Sequence, residues 1–325
     1  MDGGASLEND GGASFEHAPV MLDAVVALLS VVPPGLVVDA TVGGGGHAAA
    51  LLEAHDHITL LGLDRDEDAV AAARARLARF GARAEVHHAR YDEMSRVVTT
   101  QGAQEVTGVL FDLGVSSPQL DRAERGFSFR NDGPLDMRMD RRSKRSAADV
   151  VNGYSASELA RVLREYGDER YSRRIADRIV AARPVETTGE LAEVVANAIP
   201  APARRTSAGH PARRTFQAIR IEVNEELAVL TDALDQAIAM LQPGGRLVAM
   251  SYHSGEDRIV KQRFRRAVSG GCVCPPGLPC VCGAVQKAVD VGRRARRASA
   301  DEIERNPRAE SVRLRAIEAI EPKVS

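Results

Sequence analysis

The sequence predicts an α/β fold, a parallel sheet interrupted by an all-helical insertion. Three observations carry that expectation. Short β-branched apolar runs alternate with helical patterns as far as Asp112, as a parallel sheet covered on both faces requires. From Asp121 to Thr215 no buried strand can be read, only charged, helical and loop-like sequence. The alternation resumes at Arg246. The expected division is a lead-in over 1–14, a discontinuous sheet domain of 15–120 and 216–325, and a helical insertion over 121–215, long enough for its own core and suited to substrate recognition.

The elements follow in order. Residues 1–14 are rich in Gly, Asp and Asn, lack the plan of a secretory signal, and read as a disordered lead-in. Met21–Val32 reads as a helix stopped by Pro33-Pro34-Gly35. Leu36–Thr41 (LVVDAT) is a short buried strand. A glycine loop and an Ala- and Leu-rich helix, His47–His55, come next. Ile58–Asp64 (ITLLGLD) is a second strand ending in an acid. Asp66 opens a helix with Ala69, Val70, Ala73, Leu77 and Phe80 on one face, closed by Gly81. Ala84–Ala89 and Thr107–Asp112 supply two more strands. Beyond the insertion, Asn224 is expected to cap an amphipathic helix bearing Leu227, Leu230, Leu234, Ile238 and Leu241. Arg246–Ser251 returns to the sheet, and Ser311–Ile320 is expected as a final edge strand.

Composition bounds the function. At 325 residues, 44% hydrophobic and 27% charged, the chain is an ordinary globular protein. No apolar run approaches the ~20 residues that span a bilayer, so no membrane role is expected and the cytoplasm is the expected address. A net charge of −2 argues against a chain devoted to coating nucleic acid, yet basic residues cluster. Arg138, Arg141, Arg142, Lys144 and Arg145 form one group, Arg204, Arg205, Arg213 and Arg214 a second, and Arg293, Arg294, Arg296 and Arg297 a third. Any one of these reads as a solvated surface; three together point to a polyanionic partner. Trp is absent and aromatics are 4%, against base-stacking platforms.

Four consecutive glycines, Gly43–Gly46, sit between a strand and a helix, where backbone N–H groups and the helix N-terminus can approach a ligand. Gly43, Gly45 and Ala48 also satisfy a loose dinucleotide pattern with Asp64 21 residues on, so an NAD-dependent dehydrogenase is a rival reading. Asp39 tilts the choice. Four residues before the first glycine, its carboxylate would repel a pyrophosphate but suit the cationic end of S-adenosyl-L-methionine. The turn Leu241-Gln242-Pro243-Gly244-Gly245-Arg246 before a fifth strand points the same way, to a class I, Rossmann-like fold for a methyl donor. Asp64 is placed to accept both ribose hydroxyls.

Longer motifs are more specific. Asp112-Leu-Gly-Val-Ser-Ser-Pro-Gln-Leu-Asp121, Glu124-Arg-Gly-Phe-Ser-Phe129 and Asp132-Gly-Pro-Leu-Asp-Met-Arg-Met-Asp140 resemble the signature run of the RsmH (MraW) family. So do His17-x-Pro-Val-Met-Leu22, Gly45-Gly-His47, Tyr166-Gly-Asp-Glu-Arg170, Thr215-Phe-Gln-Ala-Ile-Arg220 and Ser251-Tyr-His-Ser-Gly-Glu-Asp-Arg-Ile-Val-Lys261. The resemblance runs from about Phe15 to the C-terminal strand. It implies a class I S-adenosylmethionine-dependent methyltransferase with a helical insertion, acting on the exocyclic N4 of one cytidine in the decoding region of 16S rRNA of the small ribosomal subunit. It further implies that Gly45, Gly46, His47, Asp64, Tyr91, Asp112 and Gln119 contact the cofactor. Tyr91 stands where the family usually has Phe, and either ring can stack on adenine.

The chemistry needs little more than positioning and help with a departing N4–H proton. Asp112, at the tip of the fourth strand, is the candidate to organise it; the other reading is a carboxylate that only fixes the loop or the adenine. The (Asn/Asp)-Pro-Pro-(Tyr/Phe) motif of many amino methyltransferases is absent, so no single indispensable base is expected. His253 is a second candidate for the base pocket, with a structural role as the alternative. Arg138, Arg141 and Arg142, with Arg213 and Arg214, are candidates for rRNA phosphates. Cys272, Cys274, Cys280 and Cys282, the chain's four cysteines, form two C-x-C pairs outside the motifs of the resemblance. They offer either four thiolates to a structural zinc or a reduced surface loop. A non-catalytic ribosome-assembly factor is a third reading of the whole, and a homodimer is left open.

Overall fold

A computed structural model describes residues 19–206, 209–275, 281–292 and 294–324. The expected lead-in, His17, Cys280 and Arg293 lie outside the described residues. Among the described residues seven strands form one sheet: β1 (Gly35–Asp39), β2 (Ile58–Asp64), β3 (Ala84–His88), β4 (Val106–Asp112), β5 (Leu241–Ser251), β6 (Val285–Asp290) and β7 (Arg313–Val324). Their order is β3-β2-β1-β4-β5-β7-β6. The first five run parallel, while β7 is antiparallel to both of its neighbours.

Alternation explains why the central strands β1 and β4 carry apolar residues in succession. In β1, Val37 packs into the core on one face and Val38 into the core on the other. In β4, Val109 and Phe111 enter the first core and Leu110 the second. Successive side chains point to opposite faces, so both must be apolar. One core is closed by Met94, Leu230, Leu234, Val260 and Phe264 from three helices. The other is closed by Val25, Leu29, Leu51, Leu52, Val70 and Leu77.

A third apolar cluster runs from Phe127 to Val223 and belongs to the helices between β4 and β5. Three of its helices start on capping boxes: Ser146, Ser155 and Thr187 each accept from the backbone three residues on, and Asp149, Glu158 and Glu190 reach back. Among the described residues no strand forms between β4 and β5.

Two expectations are corrected. Asn224 does not cap the helix that follows. It is the last residue of the helix Arg213–Asn224, and Glu225, at φ 54°, breaks the chain before the helix Glu226–Met240. The buried Asn224 amide instead accepts from Met139 N (2.8 Å) and donates to Met137 O (2.7 Å), fastening the loop before the insertion's first helix. An amide that can satisfy two backbone groups in the interior is worth more there than at an exposed helix start. The last strand is not at the edge either: β7 lies between β5 and β6. The edge strand β6 (VQKAVD) is mostly exposed or half-buried, so it lacked the apolar run that marks a strand.

Candidate cofactor and active site

The site lies at the carboxyl ends of β1, β2 and β4. Winding reverses between β1 and β4, which leaves a crevice above their tips. Three acids close these strands: Asp39, Asp64 and Asp112. The glycine loop turns beneath them. Gly43 and Gly45 take φ of 52° and 76°, a region costly for residues with a Cβ. A Cβ on Gly46 would lie 2.5 Å from Pro19 Cγ. The loop is then bonded in place, with Gly43 N donating to Asp64 Oδ2 (2.9 Å) and Gly45 N to Val42 O (2.8 Å). Gly46–Ala54 begins the helix that points its N-terminus into the crevice.

The acids are short of positive partners. Burial pushes the Asp39 carboxyl up to about 8, against the help of the Thr41 N–H, and the neighbouring Asp112 and Asp64 push it further. Asp64 is raised to about 6, by burial first, although the N–H groups of Asp66 and Gly43 oppose the rise. Its two oxygens accept one backbone N–H each, and a carboxylate has about four acceptor positions, so a ligand's hydroxyl pair can still be received. Asp112 is raised by burial, with His47 and Tyr252 opposing. One buried carboxylate, Asp39, and two half-buried ones, Asp64 and Asp112, with a shortage of countercharge fit a cationic ligand such as S-adenosylmethionine. A dinucleotide pyrophosphate would add negative charge to them, which turns the structure against the dehydrogenase reading.

Asp112 is held at three points. Its N–H donates to Thr41 Oγ1 (2.6 Å), Oδ1 accepts from the Tyr252 hydroxyl (2.7 Å), and Oδ2 lies 3.6 Å from His47 Nδ1. The other nitrogen of the buried His47 is bonded to Val20 O at 2.9 Å. The Tyr91 ring stands edge-on to Phe111, and its hydroxyl donates to Glu226 O (2.9 Å), so the ring is fixed in orientation.

The other sequence candidates have partners of their own. The buried Gln119 donates to Asp66 Oδ2 (2.8 Å) and accepts from Ser116 N (3.0 Å). Asp66 also takes the buried Arg125 guanidinium at 2.8 Å, and Arg125 bonds the carbonyls of Arg138 and Met139. Removing one partner of such a pair costs about 3–5 kcal/mol, which makes Arg125 the bolt between sheet and insertion. His253 caps the helix Ser254–Ser269: Nδ1 accepts from Gly255 N (3.2 Å), while Nε2 sits 3.1 Å from Glu256 Oε1, off the hydrogen-bond direction. Arg138 is bound to Asp136, Arg141 O and Ser143 O, and Arg142 to Asp140. Arg141, Arg213 and Arg214 are exposed, and Arg214 donates to Asp168 O (3.1 Å). Sequence reasoning missed Tyr252 and Arg125, although both stand inside the motifs that carry the resemblance.

The model of the MraW methylase family matches residues 14–320. A ribosomal RNA small subunit methyltransferase H from Symbiobacterium thermophilum is 51% identical over 94% of this chain and 96% of its own. The protein of that name from Acidothermus cellulolyticus is 52% identical over 94% of each chain. Among solved structures, an rRNA methylase from Streptococcus thermophilus aligns over 92% of this chain and 95% of its own, at 12% identity and a TM-score of 0.41.

Proposed function

The chain belongs to the MraW methylase family, and on that premise we propose that it methylates the exocyclic N4 of a cytidine in the decoding region of 16S rRNA, within the small ribosomal subunit. The observation that carries the reading is the acidic crevice over the glycine turn, with Asp112 braced by Tyr252 and His47. S-adenosylmethionine supplies a methyl already activated on a sulfonium. Gly45, Gly46, His47, Asp39, Asp64, Tyr91 and Gln119 hold and orient it. A cytosine amino group is a weak nucleophile because its lone pair is delocalised into the ring. An acceptor aimed at an N4 hydrogen favours a more pyramidal nitrogen, and Asp112 is placed to be that acceptor. Tyr252 and His47 keep its carboxylate from rotating, and its raised proton affinity lets it take up the proton that N4 gives away. The target base must leave its stack to reach the crevice. Arg141, Arg213 and Arg214 are exposed cations for phosphates on the insertion side. An rRNA substrate places the reaction in the cytoplasm, and no helix of the described residues is long and apolar enough to cross a membrane.

Mass spectrometry of rRNA nucleosides from cells with and without the gene tests the reading. Loss of N4-methylated cytidine is expected on deletion, and turnover on immature small subunits separates an enzyme from an assembly factor. An undiminished N4-methylcytidine signal would refute it.

For the cysteines we propose a structural zinc. The sulfurs of Cys272, Cys274 and Cys282 lie within 4.8 Å of one another. Cys282 Sγ is 3.7 Å from Cys272 Sγ, the separation of two thiolates across a tetrahedral Zn²⁺ with Zn–S of about 2.3 Å. The Val281 N–H donates to Cys274 Sγ at 3.4 Å, which favours a thiolate there. Purified protein is expected to carry about one zinc per chain and to melt at lower temperature after chelation. Elemental analysis below about a tenth of an equivalent would remove the ion from the description.

A further inference from the structure

We infer that the groove beside Tyr252 is a binding site for RNA backbone, taking the phosphodiesters of a single-stranded segment next to the base being modified. The inference rests on the rRNA reading above. The groove is a cavity of about 580 Å³ between the helix Ser254–Ser269 and the chain leading into β7. Tyr252 and His253 line it, and Tyr252 is the residue whose hydroxyl donates to Asp112 at 2.7 Å. The groove and the acidic crevice therefore share a wall.

The groove itself is cationic. Arg258, Lys261 and Arg265 line it at helical spacings of three and four, which places them on one face with Cβ atoms about 5–6 Å apart from one to the next. Arg297 joins them from the segment before β7. All four are exposed, and no ion pair or hydrogen bond engages them among the described residues. Nor is the charge cancelled by acids. Among the described residues five cations line the groove against two carboxylates; Asp257 is taken by Arg315 at 2.8 Å and lies 3.9 Å from Arg313, which leaves the other four cations to a ligand.

In a chain of net charge −2, such a row is local and directed. An extended polyanion is its complement in charge and shape. Swinging a base out of its stack requires the adjoining backbone to be gripped while it distorts. The groove offers point charges rather than a stacking platform, so it holds phosphates without reading bases.

The test is the full-length triple variant R258A/K261A/R265A. Its affinity for an rRNA fragment spanning the decoding region is measured across salt concentrations. Expected is about a tenfold or greater rise in Kd near 0.1 M salt. The slope of log K against log salt should fall by about 2, since each phosphate contact on a single strand contributes about 0.7. S-adenosylhomocysteine affinity and thermal midpoint should stay at wild-type values, and the charge-preserving R258K/K261R/R265K should restore RNA binding. An unchanged Kd and salt slope overturns the inference. So does a variant that fails on assembled subunits yet binds naked rRNA normally, because the groove would then meet a protein. If the unaltered protein binds the fragment but methylates no RNA, the proposed function falls, and the salt slopes still decide the groove.

Discussion

Asp112→Asn is expected to cut turnover about 100-fold, the lower range for loss of a positioned proton acceptor, while S-adenosylhomocysteine still binds and the fold is retained. The amide keeps the shape of the carboxyl and its bond to Tyr252. It loses the negative charge and the raised proton affinity produced by burial. The loss should appear in kcat rather than in KM for RNA, because Asp112 lies at the strand tip and not among the exposed cations. Tyr252→Phe removes the donor to Oδ1 and should give a smaller loss of the same kind. Single-turnover methylation of an rRNA fragment separates these effects from binding. A rate for Asp112→Asn within about twofold of wild type would leave the residue a loop brace only.

The second large effect is on pH dependence, through Asp39. Its carboxyl ionises near 3.8 in the unfolded chain and near 8 in the fold. Below about pH 4 both states are protonated and Asp39 contributes nothing. As pH rises towards 8 the unfolded state has lost the proton and the folded state still holds it, so stability of the ligand-free protein falls across that window. A cationic cofactor favours the ionised carboxylate, so its affinity rises as pH rises. Between pH 6.5 and 8 the expected gain is up to about tenfold per pH unit, the limit for release of one proton on binding. Asp64, ionising near 6, adds a weaker dependence below that range. Asp39→Asn should flatten the slope above pH 6.5, lower affinity at pH 8 and raise the ligand-free melting temperature there. Calorimetric titration at several pH values checks this. A wild-type affinity that does not move between pH 6.5 and 8, or a variant keeping the same slope, would show that Asp39 does not sense the cofactor's charge.

Much of the architecture was legible because it depends on local periodicity. The parallel strands β1, β2 and β4 carry apolar residues in succession. The glycine loop was legible for the same reason, since positive φ favours glycine. The misses share a cause. Asn224 has the identity of a cap but spends its amide on Met137 and Met139, 87 and 85 positions earlier in the chain. β6 carries too little apolar pattern to announce itself, and only pairing with β7 makes it a strand.

The candidate site divides along the same line. Residue type at fixed short spacing is enough to give the doubly covered sheet, the inserted helices and the acids at the strand tips. What those acids experience depends on contacts between segments far apart in the chain. Tyr252 reaches Asp112 across 140 positions and Arg125 reaches Asp66 across 59, and no local pattern encodes either contact. The gathering of buried Asp39 and half-buried Asp64 and Asp112 at one glycine turn, without enough cations beside them, exists only once β1, β2 and β4 lie side by side. Desolvation and the distance between like charges set that shortage, and both are properties of the folded chain.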